Sequence, residues 1–179
     1  CLGEPAQGAE WGIVKSGCVN GGIFSPTENK KLPGNLEPKP EIAIHTGDIL
    51  MSRASGSSEL IGSVGMVEDF NGNLMLSDKI FRIILNNIIQ HYFFILLMSS
   101  SLIRSQIEIA ISGAEGLANN LPQARIKKFW FALPPLKDQA IISDQVKEQT
   151  KRIDALTSKT QLSITLLKER RSALITAAV

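Results

Sequence analysis

Histidine and cysteine are scarce: the 179 residues hold two of each, His45 and His91, Cys1 and Cys18. None of the four stands at the spacing of zinc ligands, and two cysteines are too few for a disulfide framework. A reduced intracellular chain without a metal is the expectation. Two histidines lacking local context also suggest no Ser/His/Asp or Cys/His set. Aromatic residues make up only 6%, so the core must be mainly aliphatic. Long apolar runs are missing as well. The richest stretch, 80–98, is interrupted by Arg82, Asn86, Asn87, Gln90 and His91. Its unbroken part, 92–98, falls far short of the roughly 20 residues that span a bilayer. It is expected to be a buried core segment of a chain with no membrane contact.

Charge of one sign is also absent. Residues 1–136 carry 11 Lys and Arg against 12 Asp and Glu, and residues 137–179 carry 8 against 5. Bulk charge therefore does not announce a nucleic-acid binder, although a local basic face would suffice for one. The 44% hydrophobic and 20% charged residues belong to a globular chain. The length suits one ordinary domain plus one extended element. Cys1 stands where an initiating Met would, which reads as a fragment or a processed form.

Catalytic motifs are missing in turn. An adenine methyltransferase needs a glycine-rich cofactor turn and an Asn/Asp-Pro-Pro-aromatic motif around the flipped base. Here Pro134-Pro135 lies between Leu133 and Leu136, with no amide, carboxylate or ring. Glu28-Asn29-Lys30 and Glu37-Pro38-Lys39 have the Glu-x-Lys spacing of metal-dependent nucleases. The first aspartate, Asp48, comes after both, so these read as solvated loop charges. The segment 113–116 (GAEG) lacks the Gly-Lys-Ser/Thr ending of a phosphate loop. No enzyme and no cofactor are expected.

What is present is organised. The first forty residues are punctuated by Asn20-Gly21-Gly22, Pro26, Pro33-Gly34, Pro38 and Pro40, which predicts turns with short strands at 11–14 and 41–44. Residues 48–53 predict a strand, 54–60 a polar loop and 61–68 a second strand. Asn71-Gly72 predicts a type I′ hairpin turn. Residues 87–98 and 102–112 predict helices, Ser112-Gly113 a stop, 116–124 an amide-rich loop, and 127–133 (KKFWFAL) a strand ended by Pro134.

From Lys137 to the C-terminus there is neither Gly nor Pro. A helix of 43 residues would be about 65 Å long. Val146, Ile153, Thr160, Leu167 and Leu174 recur every seven residues, with Ile142, Leu156, Ile164, Ala177 and Ala178 at or near the companion spacing. That is a coiled-coil seam, imperfect where Gln149, Ser163 and Arg170 fall on the second core position. One helix cannot bury its own stripe, so the seam demands a partner. The fold class expected is α+β, a globular domain over 1–135 followed by a long coiled-coil helix over 136–179.

These last residues resemble a known family. Pro134, Pro135, Leu136, Lys137, Asp138 and Gln139, then 152–156 (RIDAL) and 167–175 (LKERRSALI), look like the conserved helical spacer of type I restriction-modification specificity subunits. Gly47-Asp48-Ile49-Leu50 with Ser52-Arg53, the loop to Gly62, Ser77-Asp78-Lys79 and 113–125 are similar to one class of target recognition domain. The resemblance covers essentially the whole chain. It implies one recognition domain and one spacer where a full subunit has two of each. The chain is then either half of a longer subunit or a half-subunit that pairs with a second copy.

The resemblance further implies a non-catalytic, cytoplasmic subunit that reads one half of a split double-stranded DNA target. Its helices would set the distance between halves and dock methyltransferase subunits, with a restriction subunit in the full complex. Readout needs Arg, Lys, amide and hydroxyl side chains on base edges and phosphates. The candidates are Lys15, Ser16, Asn20, Ser25, Arg53, Ser55, Ser57, Ser58, Lys79, Arg82, Asn119, Asn120, Gln123, Arg125, Lys127 and Lys128. Arg53 leads them. Phe129, Trp130 and Phe131 are expected in the core. Lys168, Arg170 and Arg171 read equally as contacts to DNA or a subunit and as a solvated helix face, and Cys18 as an inert thiol. The alternative reading is a coiled-coil adaptor whose globular domain binds protein or a small ligand.

Overall fold

The structure, a computed structural model, describes residues 3–112 and 119–178. The expected helix stop at Gly113, the segment 113–116, the loop from 116 to 118, Cys1 and Val179 lie outside the described residues. The chain divides into two units, Cys1–Leu136 and Lys137–Val179.

The first unit holds two three-stranded sheets. In one, β1 (Gly12–Val14) lies between β2 (Asn29–Lys31), antiparallel to it, and β5 (Leu74–Met75), parallel to it. In the other, β3 (Ile49–Ser52) lies between β4 (Val64–Met66) and β6 (Ile80–Ile83), antiparallel to both. Two helices follow, α1 (His91–Ser99) and α2 (Ser101–Ser112), then the short α3 (Gln123–Ile126). Ser100 separates α1 from α2: its backbone is extended, and its hydroxyl accepts from the Ile103 amide, capping α2.

Strand β3 is buried along its whole length. Because side chains alternate, Ile49 and Met51 enter one core with Ile61, Val64, Met98, Ile103, Ile107 and Leu121. Leu50 enters a second core with Val14, Cys18, Val19, Ile44, Val67, Leu74 and Ile80. A strand covered on both faces reads as a continuous apolar run, as 49–51 does. Cys18 is fully buried, and burial pushes its thiol up to about 12, which disfavours the reactive thiolate.

Several expected elements differ. The 41–44 strand is a 3-10 turn over Pro40–Ile42, because Pro40 presets the first turn, and only Ala43 bridges to Met75. Asn71-Gly72 makes no hairpin. Strand β5 joins β1 rather than β4, and neither residue has positive φ. Gly72 serves close packing instead, since a Cβ there would lie 2.8 Å from the Phe70 ring. The 61–68 strand shrinks to Val64–Met66 behind Gly62, whose φ is +76°. The Glu28-Asn29-Lys30 segment is not a solvated loop. Asn29 and Lys30 belong to β2, and buried Asn29 accepts from the Ala6 amide and donates to the Pro26 carbonyl.

The 87–98 helix starts only at His91, because the Asn86 side chain accepts from the Ile88 amide and favours a turn. The apolar 80–98 stretch is not wholly core either: Ile80, Phe93 and Met98 are buried, but Ile84 is 90% exposed. Among the described residues, no single helix is long and apolar enough to cross a membrane. Gln123 and Ala124 start α3 rather than ending a loop.

Residues 127–133 form no strand. Phe129 and Phe131 pack on the first core while Trp130 is 69% exposed, so the alternation holds without a ladder. The reason is a substitute partner: the Gln106 side chain accepts from the Trp130 amide at 3.0 Å and donates to its carbonyl at 2.9 Å.

Helix α4, Leu136–Ala178, is unbroken and from Lys137 on belongs to the second unit. Arg152 pairs with Glu148 one turn before it at 3.2 Å. The seam residues Ile142, Val146, Ile153, Leu156, Ile164, Leu167 and Leu174 are all exposed in the single chain. Ile153, Leu156, Thr157, Thr160, Gln161 and Ile164 line a shallow groove along it.

Two substitutions test this packing. A Cβ at Gly62 would sit 2.5 Å from Ile107 Cδ1 on an already left-handed backbone. Gly62→Ala should therefore lower unfolding stability by about 1–3 kcal/mol; an unchanged denaturation midpoint would contradict the packing. Gln106→Leu should cost about 1 kcal/mol and speed hydrogen exchange at the Trp130 amide. Unchanged protection there would show that the side chain is not the partner.

Candidate functional site

Strand β3 ends at Ser52, and the next residue, Arg53, leaves the buried ladder still held by it. Its amide donates to the Lys79 carbonyl at 2.9 Å, and its carbonyl accepts from the Leu121 amide at 2.7 Å. Ala54 bridges Asn120, so residues 119–121 lie against the end of the β4-β3-β6 sheet. Met51 faces Phe81 across the ladder. Arg53, two residues on, projects from the same face, and its guanidinium carbon lies 5.1 Å from the Phe81 ring centre. Its Nε donates to Asn120 Oδ1 at 3.1 Å. The two terminal nitrogens have no hydrogen-bond partner among the described residues, and Arg53 as a whole is half-buried.

Lys79 links this point to a second feature. With Lys15, Ser16, Lys30, Ser77, Asp78, Ile13 and Val14 it lines a cleft of about 340 Å³ between β1, β2 and the turn before β6. Lys15 lies 3.9 Å from Glu28, a loose pair that leaves its ammonium partly exposed. Three lysines and two serines thus line the cleft with one acidic residue, Asp78, and Glu28 stands near Lys15.

The candidates therefore separate. Lys15, Ser16 and Lys79 share the cleft, and Arg53 and Asn120 are bonded together beside it. Ser55 and Ser57 lie in the loop just after Arg53, where the Ser55 hydroxyl accepts from the Ser57 amide. Gln123, Arg125, Lys127 and Lys128 are exposed on or after α3, a few residues beyond Asn120, and Asn119 is exposed just before it. Asn20 does not line the cleft; Gly21 and Gly22 after it open on a different hollow with Glu59 and Arg104. Arg82 is committed within the fold, paired with Asp48 at 2.9 Å and donating to the Ala43 carbonyl. Ser25 shares a hydrogen bond with Thr27.

Two residues of the site escape a sequence reading. Lys30 looks like a loop charge until the alternation Asn29-in, Lys30-out is recognised. Phe81 looks like core, yet its ring carries Arg53. A held arginine, a lysine-lined cleft and an amide-bearing segment are thus linked through Lys79 and Asn120. Among the described residues, no group of three or more His, Cys, Asp or Glu gathers to hold a metal.

These residues sit on a small α+β domain that is followed in the chain by a long helix with an exposed apolar seam. The chain belongs to the type I restriction modification DNA specificity domain family, whose profile matches residues 13–166. It is 30% identical over 163 residues to the type I restriction enzyme EcoEI specificity subunit of Escherichia coli, covering 90% of this chain and 27% of that one. It is 25% identical over 171 residues to the EcoKI specificity subunit of Escherichia coli strain K12, covering 93% and 35%. The chain thus spans roughly a third or less of these relatives. The fold also matches the crystal structure of the HsdS subunit from Thermoanaerobacter tengcongensis, with a TM-score of 0.60 at 20% identity over 81% of this chain and 37% of that one.

Proposed function

We propose that this chain is the non-catalytic reader of one half of a split double-stranded DNA target, acting in the cytoplasm within a type I restriction-modification assembly. The globular unit, 1–135, contacts the duplex. The helix, 136–179, pairs through its apolar seam with a second recognition half or a second copy of the chain and docks methyltransferase subunits. A restriction subunit completes the full complex. The observation that carries this reading is Arg53, held beside a cleft with three lysines on a domain of the specificity family. Base contacts carry the sequence information, and phosphate contacts fix register and orientation. Lys15, Lys30 and Lys79 fill the second role, and the exposed Gln123, Arg125 and Lys127 extend the same polar surface.

Selection from a random duplex library by this chain with a methyltransferase subunit from the same cell, at two salt concentrations, tests it. A short motif should be enriched. Binding should fall steeply with salt. Lys15→Ala, Lys30→Ala or Lys79→Ala should each make the log–log salt slope shallower by about 0.9 for every phosphate no longer neutralised, equally for all sequences. A demonstrable complex that enriches no motif would overturn the reading.

A further inference from the structure

We infer that Arg53 reads a guanine through its N7 and O6 in the major groove, and that Asn120 and Phe81 are positioning residues that aim it, an inference that rests on the proposed reading of DNA. Arginine offers five N–H donors in a rigid planar fork. One is taken, because Nε donates to Asn120 Oδ1. With Nε occupied, the side-on pair of Nε and one terminal nitrogen is unavailable. The end-on pair of terminal nitrogens remains, without a hydrogen-bond partner among the described residues.

The ring of Phe81 at 5.1 Å from the guanidinium carbon, and the Asn120 bond, restrict rotation about the last side-chain torsions. The backbone is held at the same point, by Lys79 on one side and Leu121 on the other. An end-on fork fixed in this way needs two acceptors side by side. In the major groove only guanine offers them: adenine gives an acceptor and a donor, cytosine a donor, thymine an acceptor and a methyl group. A phosphate also has paired oxygens that the same fork could take; the lysines lining the neighbouring cleft already offer cations for phosphate, and the salt slope of Arg53→Ala separates the two.

Asn120 lies 67 residues from Arg53, so the aim of the fork depends on how residues 119–121 sit against the sheet. Changes in that segment would redirect the reader without touching Arg53 itself.

The test uses the full chain with its methyltransferase subunit and the motif that selection yields. Replacing each guanine of the motif by 7-deazaguanine removes one N7 acceptor and keeps base pairing. At one guanine the replacement should weaken binding by the unaltered chain about 5-fold or more, and by Arg53→Ala not at all beyond its own loss. Arg53→Ala should relax the preference at that position by about 5- to 150-fold and leave the other positions as they were. Asn120→Ala should relax the same position, while Asn120→Asp, which keeps the accepting oxygen, should retain it. A purely structural role for Asn120 would instead weaken all positions together.

Uniform weakening by Arg53→Ala with a smaller salt slope would mean a phosphate contact and overturn the inference. So would relaxation at a base pair without guanine, or an unchanged motif. If Arg53→Ala does not fold, the unaltered chain decides, and insensitivity to 7-deazaguanine at every guanine overturns the inference while the enriched motif leaves DNA reading intact. Failure to enrich any motif sinks both.

Discussion

The organisation of the globular unit depends on one strand buried on both faces. Four residues, Ile49 to Ser52, are closed off from water, with alternate side chains in two different cores. Removing a side chain of this kind from a packed core typically costs about 2–5 kcal/mol. Strand β3 also stitches the two sheets together, since its even side belongs to the core of the β2-β1-β5 sheet and its odd side to the core of α1 and α2. Arg53 is the first residue beyond it. A side chain rooted at the end of the most constrained strand starts with little backbone freedom to lose, and that favours selective contact over adaptable contact.

Polar contacts complete what burial begins. Two distant segments meet at Arg53: the run from Lys79 into β6 at Phe81, and the segment around Asn120. Arg82, one residue beyond Phe81, faces away to Asp48 and the Ala43 carbonyl. Two arginines close in space are thereby put to different uses, one sealed into the fold and one left with its terminal nitrogens open. Charge alone would not separate them. The number and direction of the donors already occupied does.

Local chemistry made much of this legible in sequence. The apolar run at 49–51, the serine break between α1 and α2, and the glycine-free and proline-free heptads of α4 follow directly from residue pattern. Long-range partner choice was not legible. Asn71-Gly72 has hairpin composition, but Leu74 pairs beside β1 instead, and Gly72 is needed for the ring of Phe70. Residues 127–133 alternate as a strand should, but a glutamine side chain takes the place of a neighbouring strand. Of the site, Lys15, Lys79, Arg53 and Asn120 were visible as loop polar residues, whereas Lys30 and Phe81 acquire meaning only from register. The pairing of Arg53 with Asn120 crosses 67 residues, and no local signal carries it.

Selective readout by this domain requires that Arg53 be aimed before any ligand arrives. NMR detection of the Arg53 Nε–H in the free chain is the direct measurement. A hydrogen-bonded Nε–H should exchange slowly with water while the terminal N–H protons exchange fast, and Asn120→Ala should abolish the protection. An Nε–H that exchanges as fast as that of the exposed Arg125 would contradict a pre-aimed fork.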